Sequence, residues 1–134
     1  MKGYPNASNY HFSPGFDQQF LFELYGDDMK SAEEVFQSAI NQIDLDLAEA
    51  AALYSSGDIT TLRKIFHRMK PLFGYVGLLP VQDYVQQFED NCIRLRGGDA
   101  LQLAFDNIVQ IVNEAVGSIR EEKEKLCSYN RRRA

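Results

Sequence analysis

Hydrophobic positions recur in steps of three and four along most of this chain, and no stretch of period-two alternation is long enough to suggest a strand. Steps of three and four place apolar side chains on one face of a helix. Glycines and serines divide the pattern into one short helix, from Asp17 to Tyr25, and four longer amphipathic helices. The pattern therefore predicts an all-α protein.

The residues at the breaks predict where the helices begin and end. Gly26 stops the first helix, and either Asp27 or Asp28 caps the second, where Ser31 and Glu34 also have the spacing of a capping box. The later boundaries are a break at Ser55-Ser56-Gly57, an N-cap at Asp58, a helix end at Gly77, a first-turn proline at Pro80, a break at Gly97-Gly98 and an N-cap at Asp99.

Loops of only a few residues favour antiparallel neighbours, so the four long helices are predicted to form an up-down-up-down four-helix bundle. The short N-terminal helix is expected to cover one end of it. We assign residues 16–127 to the bundle, residues 1–15 to a flexible N-terminal tail and residues 128–134 to a basic C-terminal tail. The three consecutive arginines of that tail are expected to fray: Arg131, Arg132 and Arg133.

The composition is that of one globular domain, because 134 residues with 45% hydrophobic and 25% charged side chains suit a single core. No apolar run approaches the roughly 18 residues that span a bilayer, so no membrane partner is expected. The N-terminus has no apolar secretory segment. Cys92 and Cys127 are far apart and fit no metal-binding spacing, which favours free thiols in the cytoplasm.

The charge is unevenly distributed along the chain. A net charge of -5 argues against nucleic acid as a partner. Residues 59–77 nevertheless contain four cationic side chains and no acidic one, and this basic strip consists of Arg63, Lys64, Arg68 and Lys70. Such a strip is suited to an acidic partner. Alternatively, these charges are simply solvated.

The candidate chemistry lies on the third predicted helix, where His67 falls about 100° from the apolar stripe. Lys70 follows by one turn, and Gly74 lies nearly in line with His67 two turns on. A side chain at Gly74 would crowd a group attached to the imidazole, and Pro71 removes the N–H that would bond the His67 carbonyl. This arrangement indicates a histidine that carries a phosphoryl group in the open. Alternatively, residues 74–77 are only a fraying helix end.

The side chains around His67 suit that role. A neutral imidazole offers a nucleophilic nitrogen, and a phosphohistidine bears close to two negative charges. Lys70 lies on the same face and can offset them, and Arg68 is expected to assist from the side. We find no clustered ligands for zinc and no nucleophile elbow of a hydrolase.

The first helix suggests a docking patch, since it has more apolar residues than one stripe requires. Its two apolar faces consist of Phe16, Phe20 and Leu24 on one side and Leu21, Phe22 and Tyr25 on the other. One face is expected to pack on the bundle and the other to stay partly exposed. Alternatively, the N-terminal tail and a loop bury both faces.

The segment from His67 to Gly77 resembles the signature of histidine-containing phosphotransfer (HPt) domains. In that family the phospho-accepting histidine is followed by lysine at three residues and by glycines at seven and ten, as are Lys70, Gly74 and Gly77 here. The family also places a glutamate or glutamine 22 residues after the histidine, which is Glu89. The chain departs from the family at Pro71, Leu72 and Phe73, where glycine and small residues are common.

The resemblance implies a phosphorelay intermediate without kinase or phosphatase activity of its own. His67 would accept the phosphoryl group from a receiver-domain aspartate of a hybrid sensor histidine kinase and pass it to a response-regulator receiver domain. Glu89 would hydrogen-bond the imidazole, and Mg²⁺ would belong to the receiver, so the chain would bind no metal or cofactor itself. We expect a monomer that docks through Arg63, Lys64, Arg68, Pro71, Gly77 and Phe22.

Two alternatives stay open at this stage. A helical docking module would bind a receiver domain or another acidic partner without phosphotransfer. An enzyme would use His67 as a general base, but a convex helix face offers no pocket that excludes water.

Overall fold

The computed structural model describes residues 10–133, and within them the chain forms five helices and no strand. The helices are α1 (Gln18–Tyr25), α2 (Met29–Ser56), α3 (Ile59–Tyr75), α4 (Leu79–Leu95) and α5 (Gly98–Arg133). The prediction of an all-α protein with one short and four long helices is confirmed.

The four long helices pack in a ring, in which α3 lies between α2 and α4 and α5 closes the ring against α2 and α4. Sequential neighbours in contact are the up-and-down arrangement that short loops predict. Helix α1 covers the end where α3 turns into α4, because Leu21 is buried there and the Asp17 N–H donates to the Gly77 carbonyl at 2.9 Å.

Three aspartates cap helices, and two of them, Asp28 and Asp58, are caps that the sequence predicts. Asp17, Asp28 and Asp58 each accept a hydrogen bond from the backbone N–H three residues on. Asp28 is therefore the cap of α2, and Pro80 lies in the first turn of α4 as expected. The predicted N-cap at Asp99 is wrong, because α5 begins at Gly98 and Asp99 lies in its first turn. The φ of Gly98 is 82°, a left-handed conformation that favours glycine.

The core is formed by the inward faces of the helices. On α4, Val85 and Phe88 face this core, whereas Tyr84 is 47% exposed. The largest fully buried apolar side chains are Phe36, Phe66, Phe73, Leu21, Ile40, Ile43, Leu62, Met69, Leu101, Ile119 and Leu126.

Part of each segment assigned to a tail contacts the bundle. Residues 10–15 are packed on the bundle, where the Tyr10 hydroxyl donates to Glu122 Oε2 at 2.5 Å and the Phe12 ring stacks on Phe36 at 5.9 Å between centroids. Residues 1–9 lie outside the described residues. Helix α5 continues to Arg133 and does not fray after Cys127, because Asn130 Nδ2 donates to the Met29 carbonyl at 3.0 Å.

Candidate functional site

His67 lies on the outer face of α3. Its neighbours Phe66 and Met69 are fully buried, whereas the His67 side chain is 68% exposed. The angular offset between consecutive helix positions produces this contrast. An imidazole held this way is open to a large partner from outside the bundle.

Helix α4 places a buried carboxylate against the imidazole. Glu89 is 3% exposed in its side chain and lies between the core residues Val85 and Cys92 on the inward face of α4. Its Oε1 is 2.8 Å from His67 Nδ1, so the contact expected from the 22-residue spacing is present. A carboxylate only accepts, so Nδ1 carries the proton and Nε2 keeps its lone pair. Within residues 10–133, Nε2 has no hydrogen-bond partner.

Lys70 supplies the positive charge that balances this carboxylate. Its Nζ is 3.1 Å from Glu89 Oε2, an ion pair whose geometry falls outside that of a hydrogen bond. A buried carboxylate without such a cation would be strongly destabilising. Glu89 thus bridges His67 and Lys70 through its two oxygens.

Gln86 completes the site and was missed by the sequence analysis. Its Oε1 accepts a hydrogen bond from Lys70 Nζ, and its Nε2 donates to Asp90 Oδ1 at 3.1 Å. Lysine only donates and an aspartate carboxylate only accepts, so the amide has one consistent orientation. The available signal was its position one turn before Glu89, on the same face of α4.

Arg68 is bound to α2 instead of the imidazole face. Its Nη2 lies 2.5 Å from Oδ1 of Asp46, a fully buried carboxylate, and 3.4 Å from Glu49 Oε1. The hydrogen bond and charge of Asp46 raise the pKa of the Arg68 guanidinium. Assistance from Arg68 to a phosphoryl group on His67 stays a prediction, and in this structure Arg68 binds two carboxylates that α2 offers.

Gly77 is a turn residue beneath α1. It is buried, its φ is 75°, and a Cβ at this position would lie 2.7 Å from Leu21 Cδ1 and Cγ. Helix α1 covers this glycine, and a docking role for it stays a prediction. Its role is to let the chain turn under Leu21.

Gly74 faces α4 closely. A Cβ there would lie 2.6 Å from Nε2 of Gln82, whose amide donates to the Lys70 carbonyl at 3.2 Å. The glycine therefore permits the close approach of α3 to α4 beside Pro71. Clearance above the imidazole stays a prediction.

The other predicted docking residues are spread over the surface. Lys64 and Pro71 are exposed, and Phe22 is half-buried on α1. Arg63 is half-buried and lines a cavity of about 520 Å³ with Cys92 and Arg96 at the far end of α3. They do not form one basic patch with Lys70.

The structure also has an apolar patch between α2 and α3 that the sequence patterns did not predict. It lines a cavity of about 530 Å³, and Leu45 and Tyr75 are 66% and 50% exposed there. We call these residues the α2–α3 patch, which comprises Val35, Ala39, Leu45, Leu72 and Tyr75. Large exposed apolar side chains that cluster mark an interaction surface.

Residues 10–133 contain no group of three or more metal-ligating side chains placed to hold an ion. No helix in the same range is both long enough and apolar enough to cross a membrane. No family model, curated protein or solved structure matches the chain. The function is therefore inferred from the geometry of the site.

Proposed function

We propose that this protein is an HPt-like phosphorelay intermediate that carries a phosphoryl group on Nε2 of His67. The observation that carries the proposal is the 2.8 Å contact between Nδ1 and the buried Glu89. It directs the lone pair of Nε2 to the exposed side of the ring. A carrier needs a nucleophile that two partners in turn can reach, and a 68% exposed imidazole meets that need.

In the proposed transfer, the Nε2 lone pair attacks the phosphorus of an aspartyl phosphate on a partner receiver domain. The N–P bond forms while the P–O bond to the aspartate breaks, and the partner recovers its carboxylate. Positive charge develops on the ring, and Glu89 stabilises it through the Nδ1–H. Transfer to the second receiver is the same reaction in reverse. Mg²⁺ would be bound by the receiver.

The α2–α3 patch supplies a docking surface for such a partner. Leu45 and Tyr75 expose apolar area, and Pro71 is exposed one turn from His67 on α3. A hybrid sensor histidine kinase and a response regulator would take turns on this surface, since both present a receiver domain.

The test is phosphorylation by a panel of Mg²⁺-bound, phosphorylated receiver domains. We expect acid-labile, alkali-stable phosphate on the wild-type protein and none on His67→Gln. His11→Gln is the matched control, because His11 is the other histidine of the chain, and it should keep the label. Label retained by His67→Gln would contradict the proposal.

The α2–α3 patch also favours a second candidate, a helical docking module that binds a receiver domain without phosphotransfer. This candidate predicts that His67→Gln and the wild type bind equally well and that no donor produces phosphohistidine. Leu45→Asp should weaken binding in either case, so only the label distinguishes the two functions.

A further inference from the structure

Five polar side chains form a continuous chain across α3 and α4. Asp90 accepts from Gln86, Gln86 accepts from Lys70, Lys70 pairs with Glu89, and Glu89 contacts His67. The Lys70 ammonium is held at the Glu89 carboxylate, and this carboxylate contacts Nδ1 of His67. The ammonium is therefore held on the side of the ring that does not take the phosphoryl group.

Phosphorylation of Nε2 would add a second anionic group to which the Lys70 ammonium can bind. A phosphoryl group adds close to two negative charges. Arg68, the neighbouring cation on α3, is held by Asp46 and Glu49. Lys70 is only 22% exposed, but its long side chain ends at the carboxylate that contacts the imidazole and can exchange one anion for another.

We propose that Lys70 changes partners during phosphotransfer and that Gln86 is the positioning residue that holds it in the resting arrangement. This inference rests on the proposed function. Before transfer, Lys70 shares the charge of Glu89. After the N–P bond has formed, Lys70 binds the phosphoryl oxygens, and the whole charge of Glu89 acts on the Nδ1–H and stabilises the positive ring.

The partner exchange predicts opposite effects for two substitutions of Gln86. Gln86→Leu removes a competitor for Lys70, so phosphorylation by phosphoramidate should become about threefold to tenfold faster. In this reaction Nε2 attacks phosphorus, the P–N bond of phosphoramidate breaks and ammonia leaves, and no partner protein is required. Phosphoramidate should phosphorylate Gln86→Glu more slowly than Gln87→Glu, which adds the same charge at the adjacent exposed residue. Slower reaction of both Gln86 variants would overturn the inference, because a merely structural Gln86 predicts that result.

A spectroscopic readout tests the same exchange without a rate. The side-chain amide resonances of Gln86 should shift when the wild-type protein is phosphorylated, while those of Gln82, which bonds the Lys70 backbone, should move far less. In Lys70→Met the Gln86 response should disappear. Phosphohistidine on the wild type with unmoved Gln86 resonances would overturn only this inference. Absence of phosphohistidine with every donor would overturn the proposed function as well.

Discussion

At the scale of residues, the site depends on one buried carboxylate with two partners. Glu89 is 3% exposed, and each of its oxygens faces a different side chain, the imidazole at 2.8 Å and the ammonium at 3.1 Å. Burial makes both contacts stronger than they would be in water. Glu89 consequently fixes the tautomer of His67 and the position of Lys70 together.

We predict that Glu89→Gln and Glu89→Leu differ in their effect on phosphorylation of His67. Glutamine retains an acceptor for the Nδ1–H, so its rate should stay within about tenfold of wild type. Leucine has no acceptor, frees the imidazole and leaves Lys70 without its counter-ion, so its rate should fall by about a hundredfold. Nitrogen NMR of His67 measures the tautomer, and phosphoramidate measures the rate. Equal rates for the two variants would show that Glu89 does not orient the imidazole.

At the scale of elements, two glycines at the end of α3 have different tasks. Gly74 is helical and its missing side chain faces the flexible amide of Gln82, whereas Gly77 has a φ of 75° and faces Leu21. The far end of a glutamine side chain can swing away from a new Cβ, but a left-handed backbone cannot accept a Cβ without strain. The α1 cap over the α3–α4 turn therefore depends on Gly77.

We predict that Gly77→Ala destabilises the protein by about 2 to 4 kcal/mol, from backbone strain together with the overlap with Leu21. The matched variant Gly74→Ala should stay within about 1 kcal/mol of wild type, because alanine favours a helix by roughly the amount that displacing Gln82 costs. Urea denaturation measures both free energies of unfolding. Leu21→Ala should recover part of the loss in the Gly77→Ala background, and full additivity of the two changes would argue against the overlap.

At the scale of the whole molecule, polar contacts tie the chain ends and α1 to the bundle. Glu122 of α5 accepts from the Tyr10 hydroxyl and, at 3.3 Å, from the Ser13 N–H. Burial and Glu122 raise the pKa of Tyr10. On α1, Tyr25 donates to the Tyr75 carbonyl at 2.6 Å, and burial, aided by the nearby Tyr75, raises the pKa of Tyr25 to about 12 from 10.0.

We predict that the protein loses stability in alkali because the pKa values of these tyrosines are raised. The raised pKa means that the folded protein holds the Tyr25 proton more tightly than the unfolded chain does. The stability that this difference contributes is complete below pH 10.0 and is lost as pH rises towards about 12. Tyr25→Phe should lower stability at neutral pH by about 1 kcal/mol, through the lost hydrogen bond, and should flatten the decline above pH 10.0. Chemical denaturation across this pH range measures both effects. An unchanged alkaline slope in Tyr25→Phe would assign the decline to other groups, Tyr10 among them.

The sequence predicts the helices and their inward faces, because steps of three and four and aspartate caps are local properties of the chain. It also placed Glu89 near His67, since the resemblance to a known motif relates residues 22 apart across a helical hairpin. It did not identify Gln86, because a position one turn before Glu89 on a helix surface is too weak a signal by itself. Only its contact with Lys70 makes it part of the site.

What covers each side chain depends on how the helices pack against one another. Gly77 belongs to the motif that suggested docking, yet the packing of α1 makes it a buried turn residue. Arg68 belongs to the basic strip, yet α2 brings Asp46 to it from 22 positions away. The last turns of α5 have the sequence of a solvated tail, yet Asn130 contacts the start of α2. Helical periodicity is set by neighbours along the chain, whereas charge pairing and coverage depend on residues that meet only after folding.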